Sequence, residues 1–410
     1  MLLKQETELN ECPVDHTTFS KRKTGRTEPT GPPLEQTPDG VWHIYDYDLA
    51  RQVLRDKDTR QAGFSVDLAN QMPGLKQNPV LFQDGPEHQY QRKQIARFFT
   101  PSTTRDSYQA LMEDFSDQII AELTRKGEVD LSELTMKLAV KVAAEVVGLT
   151  NSLLPGMAGR LNRFLRFDPG QAEKFSWRPG QIASLLQTNT TMLSFFLLDV
   201  KPAIRSRKKE AREDVVSHLI SQGYTDTEIL VECITYGAAG MITTREFIQM
   251  ATWHFLENPE LKQIYLNGAI GQRHPLLEEI LRLEPVVGNL FRRATADIEL
   301  PLNGHSVTIA QDEVVELHIQ DINTDQSVVG DDPLAICPGR PLEKRAQPPV
   351  MGFGFGHHRC PGAYIAIQET DIFLLRLLAV DTLHLVSEPV VNYVDLIKGY
   401  EISNFRVSVK

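Results

Sequence analysis

Apolar side chains recur at three- and four-residue intervals through residues 102–220, the period of helices that bury one face. The pattern breaks at 127–130, at Asn151, at 168–170 and at 179–180, where Gly, Pro, Asn and Asp cluster. Strand-like alternation is confined to short stretches, one over 41–45 and a set with turns over 385–410. Further helices are predicted over 48–55, around 260–268 and over the apolar run 363–380. Residues 63–78 mix Gly, Pro and polar side chains and predict a long loop, and such loops in compact domains usually carry function.

The longest periodic segment is 225–257. Thr225-Asp226-Thr227-Glu228 has the spacing of a capping box that starts the helix, and Asn258-Pro259 ends it. At 1.5 Å per residue a continuous helix would be about 50 Å long. Its middle, Gly237-Ala238-Ala239-Gly240-Met241-Ile242, is small or apolar throughout, which predicts burial. A helical Gly costs roughly 1 kcal/mol against Ala, so a flat group is expected to pack there. Thr243 can return its hydroxyl to the Ala239 carbonyl and loosen the helix. The expected fold is mostly α with smaller β-sheets. Residues 1–38 are expected to form an extended lead-in to a single domain over 39–410.

Composition narrows the partners. The 410 residues are 41% hydrophobic, enough for a large core, and carry a net charge of −11 that disfavours nucleic acid and anionic membranes. No apolar stretch suits a signal peptide or membrane anchor, so a cytoplasmic protein is expected. Cys12, Cys233, Cys337 and Cys360 are too widely spaced for a disulfide framework.

Phe353-Gly354-Phe355-Gly356-His357-His358-Arg359-Cys360-Pro361-Gly362 carries the strongest chemical signal. A cysteine just before a helix N-terminus meets unpaired amides and the positive end of the dipole, which favour a metal-binding thiolate. Gly354 and Gly356 let a flat ligand approach the backbone, with Phe353 and Phe355 as apolar walls. A turn with a small core cysteine is the plainer reading. Zinc held by Cys337, His357, His358 and Cys360 is another, although no close Cys pair announces it.

The run resembles the haem-binding loop of the cytochrome P-450 family, Phe-x-x-Gly-x-His-x-Cys-x-Gly, at Phe353, Gly356, His358, Cys360 and Gly362. The resemblance implies haem b with Cys360 as axial iron ligand and His358 beside a propionate. It also implies a fold in which haem lies between the long central helix and the helix after the Cys loop. His88 and Arg92 are four apart on one helix face and resemble the family's propionate-binding His-x-x-x-Arg; a solvated polar face is the alternative. Ala239-Gly240-Met241-Ile242-Thr243-Thr244 resembles the oxygen-activation element, with Ala239 and Gly240 against the haem and Thr243 catalytic. Ile242 stands at the usual acid. Glu246, three residues beyond Thr243, is a candidate to relay protons through water, against the plainer expectation of a solvated or Arg245-paired carboxylate.

Glu279 and Arg282 resemble the family's structural Glu-x-x-Arg, with Arg345 as expected third member, and Arg292 resembles the propionate partner of Arg-x-Ala. The expected substrate pocket draws on Phe64, Val66 and Leu68, on Val286, Val287 and Asn289, and on Ile397 in a C-terminal tip. Asn289 has turn completion as its alternative. By resemblance, residues 164–198 hold a helix pair over the substrate entrance. Residues 322–325 and 350–352 depart from the family pattern.

The implied activity is insertion of one oxygen atom from O2 into a small, largely apolar molecule. Electrons would come from NAD(P)H through a reductase and a separate ferredoxin or flavodoxin, docking near Arg97 and Arg359. Ile242 leaves open a peroxide-driven oxygenase or a haem-thiolate rearrangement or coupling enzyme. A haem sensor without turnover and a zinc-containing helical protein are the remaining readings.

Overall fold

Asp46 opens the first helix by accepting the Leu49 amide at 2.9 Å, and similar local signals set most element boundaries. The computed structural model describes residues 22–24, 32–64, 66, 78–165, 190–395 and 397–410. In chain order the first elements are β1 (Leu34–Gln36), β2 (Trp42–Ile44), α1 (Tyr47–Arg55), β3 (Thr59–Gln61), α2 (Gly85–Ile95), α3 (Gln109–Lys126) and β4 (Glu128–Asp130). Then come α4 (Leu131–Val147), α5 (Met157–Leu165), α6 (Lys201–Lys209), α7 (Val215–Ser221), α8 (Asp226–Tyr236), α9 (Thr243–Glu257), α10 (Pro259–Asn267) and α11 (Ile270–Leu283). Strands β5 (Asn289–Ala294), β6 (Ile298–Leu302), β7 (His305–Ile309) and β8 (Val314–His318) precede α12 (Ala363–Leu378). The chain ends in β9 (His384–Leu385), β10 (Val390–Val394), β11 (Gly399–Ser403) and β12 (Arg406–Ser408). The mostly α fold with smaller sheets is therefore observed, and no helix among the described residues is long and apolar enough to cross a membrane.

Two compact units emerge, one from Met1–Gly63, Ile120–Leu131 and Glu246–Lys410, the other from Phe64–Ile119 and Ser132–Arg245. In the first, a five-stranded sheet has the order β1-β2-β8-β5-β3. Its single parallel pairing joins β2 to β8, with His43 opposite Glu316. Ile44, Leu49, Val53 and Leu54 pack with Val315, Leu317, Ile322 and Met351 in one core. The β10–β11 hairpin brings Lys398 and Gly399 against the backbone of Val286 and Gly288, so close that neither glycine has room for a side chain.

Polar groups also hold this unit together. Arg282 forms a bidentate pair with Glu279 at 2.8 Å for each bond. The third member is Arg340, whose Nε donates to Glu279 Oε1 at 3.0 Å, and not the expected Arg345, which is exposed. Arg340 leaves a Cys337–Arg340 turn with Gly339 at φ 74°, and its remaining donors reach the carbonyls of Val329, Asp331, Asp332 and Ala335. Burial pushes the Glu279 carboxyl up, but the charge of Arg282, its hydrogen bonds and then Arg340 more than offset this, leaving it below the ordinary value. Asn323 ties the departing 322–325 segment to the same helix, donating to the Arg282 carbonyl at 3.0 Å and accepting the Met351 amide at 2.8 Å.

Residues 22–24 are no loose part of the expected lead-in. Arg22 donates to the Leu283 carbonyl at 2.9 Å and the Gln320 carbonyl at 2.7 Å. Thr24 and the Lys23 amide engage the buried Glu284 carboxylate.

In the second unit, Arg160 forks onto Asp199 with both bonds at 2.7 Å. Asp214 caps α7 through the Ser217 amide at 2.8 Å and pairs with buried Arg207. The capping box at Thr225 and Glu228 is present as expected. The helix it starts runs without a break to 257, but it is not α-helical throughout. Residues Gly237–Ile242 form a π-helical turn between α8 and α9, with the Thr243 hydroxyl donating to the Ala239 carbonyl at 2.5 Å. Two glycines and a back-bonding threonine supply the looseness that lets one extra residue enter the turn. Residues 166–189, which include most of the expected helix pair, lie outside the described residues, as do Cys12 and Leu68.

Candidate active site

The Cys360 loop takes its shape from two glycines. Gly354 and Gly356 both lie at φ 69°, and a Cβ on Gly356 would collide with the Leu54 carbonyl at the end of α1. The loop is closed by Gly354 N–H to Met351 O at 2.8 Å and Cys360 N–H to Phe353 O at 2.9 Å. Phe355 packs on the sheet core, with the guanidinium groups of Arg51 and Arg55 each 5.9 Å from its ring centre. Among the described cysteines Cys233 and Cys337 are buried, whereas Cys360 is exposed. The plainer expectation of a small core cysteine thus fails for Cys360. A zinc set is disfavoured by the same geometry, because Cys337 is buried with its amide on Glu279 and no cluster of metal-ligating side chains among the described residues includes Cys360. Gly362 serves as N-cap of α12, so the thiol stands two residues before the N-cap.

Within the same unit Arg292 is buried on β5, opposite Gln61 of β3, and donates to the Gln61 side chain and to the Phe291 carbonyl. Gln61 is a partner that sequence reasoning missed, since strand register alone brings it there. Val286 and Ile397 are buried and Val287 half-buried, close to the hairpin tip. Asn289 does not complete a turn. It begins β5, and its amide donates to Glu316 Oε1 at 2.5 Å. Glu246 is fully buried, not solvated: its Oε2 accepts the Ile402 amide of β11 at 2.7 Å and the Gln249 amide at 3.4 Å.

In the other unit His88 is buried and Arg92 half-buried on α2, so the shared face is not a fully solvated one. Around the π-helical turn, Gly237 and Met241 are buried as predicted, but Ala239 is exposed and Ala238, Gly240, Ile242 and Thr243 are half-buried. One side of the turn therefore presents a flat strip of small residues beside the Thr243 hydroxyl. Val66 is buried, and Phe64 is half-buried at φ 58°. Three turns before Thr243 lies a group that composition gave no reason to single out. Burial pushes the Glu232 carboxyl up to about 8, and one of its oxygens accepts the Val80 amide at 3.0 Å.

The sequence profile of the cytochrome P450 family matches residues 274–389, which span the Glu279–Arg282 pair and the Cys360 loop. A biotin biosynthesis cytochrome P450 of Bacillus subtilis is 26% identical over 351 residues, covering 82% of each protein. An erythromycin C-12 hydroxylase of Saccharopolyspora erythraea is 26% identical over 360 residues, covering 85% of this chain and 83% of that protein. The solved structure of CalO2 superposes with a TM-score of 0.74 at 22% identity, over 92% of each chain. A thiol exposed on a glycine-pinned loop, in a chain similar to these proteins, is the arrangement of a haem-thiolate enzyme. The chain is similar to the cytochrome P450 family, through the profile over residues 274–389 and through bacterial members over most of its length.

Haem is that family's cofactor, and the residues present fit it. The exposed Cys360 thiol supplies the ligand chemistry, and Gly354, with no Cβ, lets a flat group approach the loop.

Proposed function

We propose that this chain is a cytochrome P450 that inserts one oxygen atom from O2 into a C–H or C=C bond of a small, largely apolar organic molecule. Electrons would come from NAD(P)H through a separate reductase and a ferredoxin or flavodoxin. The observation that carries this reading is the exposed Cys360 thiol on a hydrogen-bonded loop before α12. The names of two relatives, a hydroxylase and a biosynthetic P450, support oxygenation of a small molecule. Bound haem b would supply iron able to activate dioxygen, with electron density pushed onto it by the thiolate.

The chain's own residues do the rest. Cys360 binds as thiolate, while Phe353 and Gly362 flank it. His358, Arg292, His88 and Arg92 supply the donors and positive charge that two propionates need. Ala239 and Gly240 leave space for a flat macrocycle. Val286, Val287, Ile397, Phe64 and Val66 give the substrate apolar surface. Thr243 holds a proton on Oγ1, donated to the Ala239 carbonyl at rest, and a shift of that bond lets the hydroxyl donate elsewhere. Ile242 cannot resupply it, so Glu246 acting through water is the candidate source.

The test is an optical titration of the ferric protein against terpenes, steroids, fatty acids, macrolides and aromatic amides, followed by turnover of any compound that shifts the Soret band to shorter wavelength. Product formed with the redox chain supports the reading. A spectrum without thiolate haem would end it. Ile242 favours a second reading, peroxide-driven oxygenation or a coupling reaction. It predicts turnover with hydrogen peroxide that equals or exceeds turnover with the redox chain.

A further inference from the structure

On the β2–β8 seam two imidazoles and a carboxylate converge. We propose that His43, Glu316 and His318 form a site for a divalent transition-metal ion of the zinc class. The sheet creates the arrangement: His43 of β2 lies opposite Glu316 of β8, and His318, two residues on, points to the same side of the strand. His43 Nδ1 is 2.9 Å from His318 Nε2 and 3.4 Å from Glu316 Oε2, and one donor atom from each residue lies within 4.8 Å of the others. Ligands at about 2.0–2.1 Å from zinc in a tetrahedron stand roughly 3.3 Å apart, so the His43–Glu316 edge already fits and the His43–His318 edge needs only a small expansion.

The donors are already oriented by neighbours. The Thr37 hydroxyl lies 3.2 Å from His43 Nε2, fixing the ring nitrogen that would not ligate. The Tyr45 ring stacks on His318 with centroids 4.3 Å apart and planes at 17°. The Asn289 amide holds Glu316 Oε1 at 2.5 Å and lies 3.3 Å from His318 Nδ1. The side chains of His43 and Glu316 are 15% and 16% exposed, enough for an ion to enter and for water to take the fourth position. The two imidazoles share a hydrogen bond between Nδ1 and Nε2, and a metal bound there would displace that proton to solvent or to the outer nitrogen of the ring that carries it. Two imidazoles and one carboxylate suit zinc, nickel or cobalt better than calcium or magnesium, which prefer all-oxygen sites.

The test uses the chelator-washed holoenzyme dialysed against buffered zinc chloride, with bound zinc counted and its surroundings read by X-ray absorption at the zinc edge. The expected result is one equivalent, with nitrogen and oxygen neighbours near 2.0 Å and imidazole scattering. His43→Gln and His318→Gln should each weaken uptake by tenfold or more, whereas His305→Gln, on exposed β7, should not change it. The absorption spectrum needs no variant and so decides even if a substitution unfolds the sheet. A sulfur neighbour, or an equivalent that survives both histidine substitutions, would overturn the proposal, as would no uptake at all.

Discussion

Arg340 and Arg345 differ by five positions and by everything that matters energetically. Arg340 shares a buried carboxylate with Arg282, and stranding part of that charge is expected to cost about 3–5 kcal/mol. Arg340→Ala should therefore lower the unfolding free energy measured in urea steeply, while Arg345→Ala should change it by less than about 0.5 kcal/mol. Glu369 offers a pH test. It is buried on α12, its Oε1 has no hydrogen-bond partner among the described residues, and burial pushes its carboxyl from 4.5 up to about 8. The folded state then keeps a proton that the unfolded state releases, so stability is highest below the unfolded value and falls as pH rises from 4.5 to about 8. Each pH unit in that window costs about 1.4 kcal/mol per such group. Glu369→Gln should flatten the decline in urea unfolding measured between pH 5 and pH 8, leaving the share due to Glu232, which shifts the same way.

At the scale of elements, the π-helical turn gathers the consequences. Thr243→Ala removes the hydroxyl that bonds to Ala239, and should leave electron consumption intact while lowering product formed per NAD(P)H, on the order of tenfold. Glu246→Ala tests the proton source. Loss of coupling with an unchanged melting point supports the relay, whereas a lower melting point with unchanged coupling means that the carboxylate only anchors the β11 amide. Signals that act within a turn or two were legible in the sequence: the Thr225–Glu228 box, the Thr243 back-bond and the start of α1. The helix expected over 225–257 is present, but the π-helical turn inside it was not foreseen, because periodicity counts apolar positions and does not register one inserted residue. Arg340 was missed because its choice over Arg345 depends on a turn 61 residues from Glu279 in sequence. Gln61 meets Arg292 only through strand register, which lies 231 residues apart in the chain.

For the molecule as a whole, the family was legible because its motifs are local and the chain carries them in order. The substrate was not, since its pocket is assembled from distant segments, Leu68 among them outside the described residues. Partner docking belongs to this scale. The chain carries a net charge of −11, so an acidic electron carrier would need local positive charge to approach. Arg359 is exposed beside Cys360, and Arg97 is exposed on the other unit, its guanidinium 4.8 Å from the Phe98 ring centre. Replacing both by alanine should slow reduction by the carrier at low ionic strength and erase most of the salt dependence, as measured by stopped flow; an unchanged rate at every ionic strength would rule these arginines out.

The clasp of residues 22–24 on Glu284 bears on how the protein tolerates being cut or fused. A protease or a gene truncation that removed Arg22 to Thr24 would leave a fully buried carboxylate facing only His254, 3.4 Å away, among the groups that now engage it. It would also free the Leu283 and Gln320 carbonyls of their arginine donor. Shortened forms that begin beyond Thr24 should be harder to produce and melt earlier than forms that begin before Arg22. In engineering terms the useful N-terminal boundary lies upstream of the clasp, well before the first strand at Leu34.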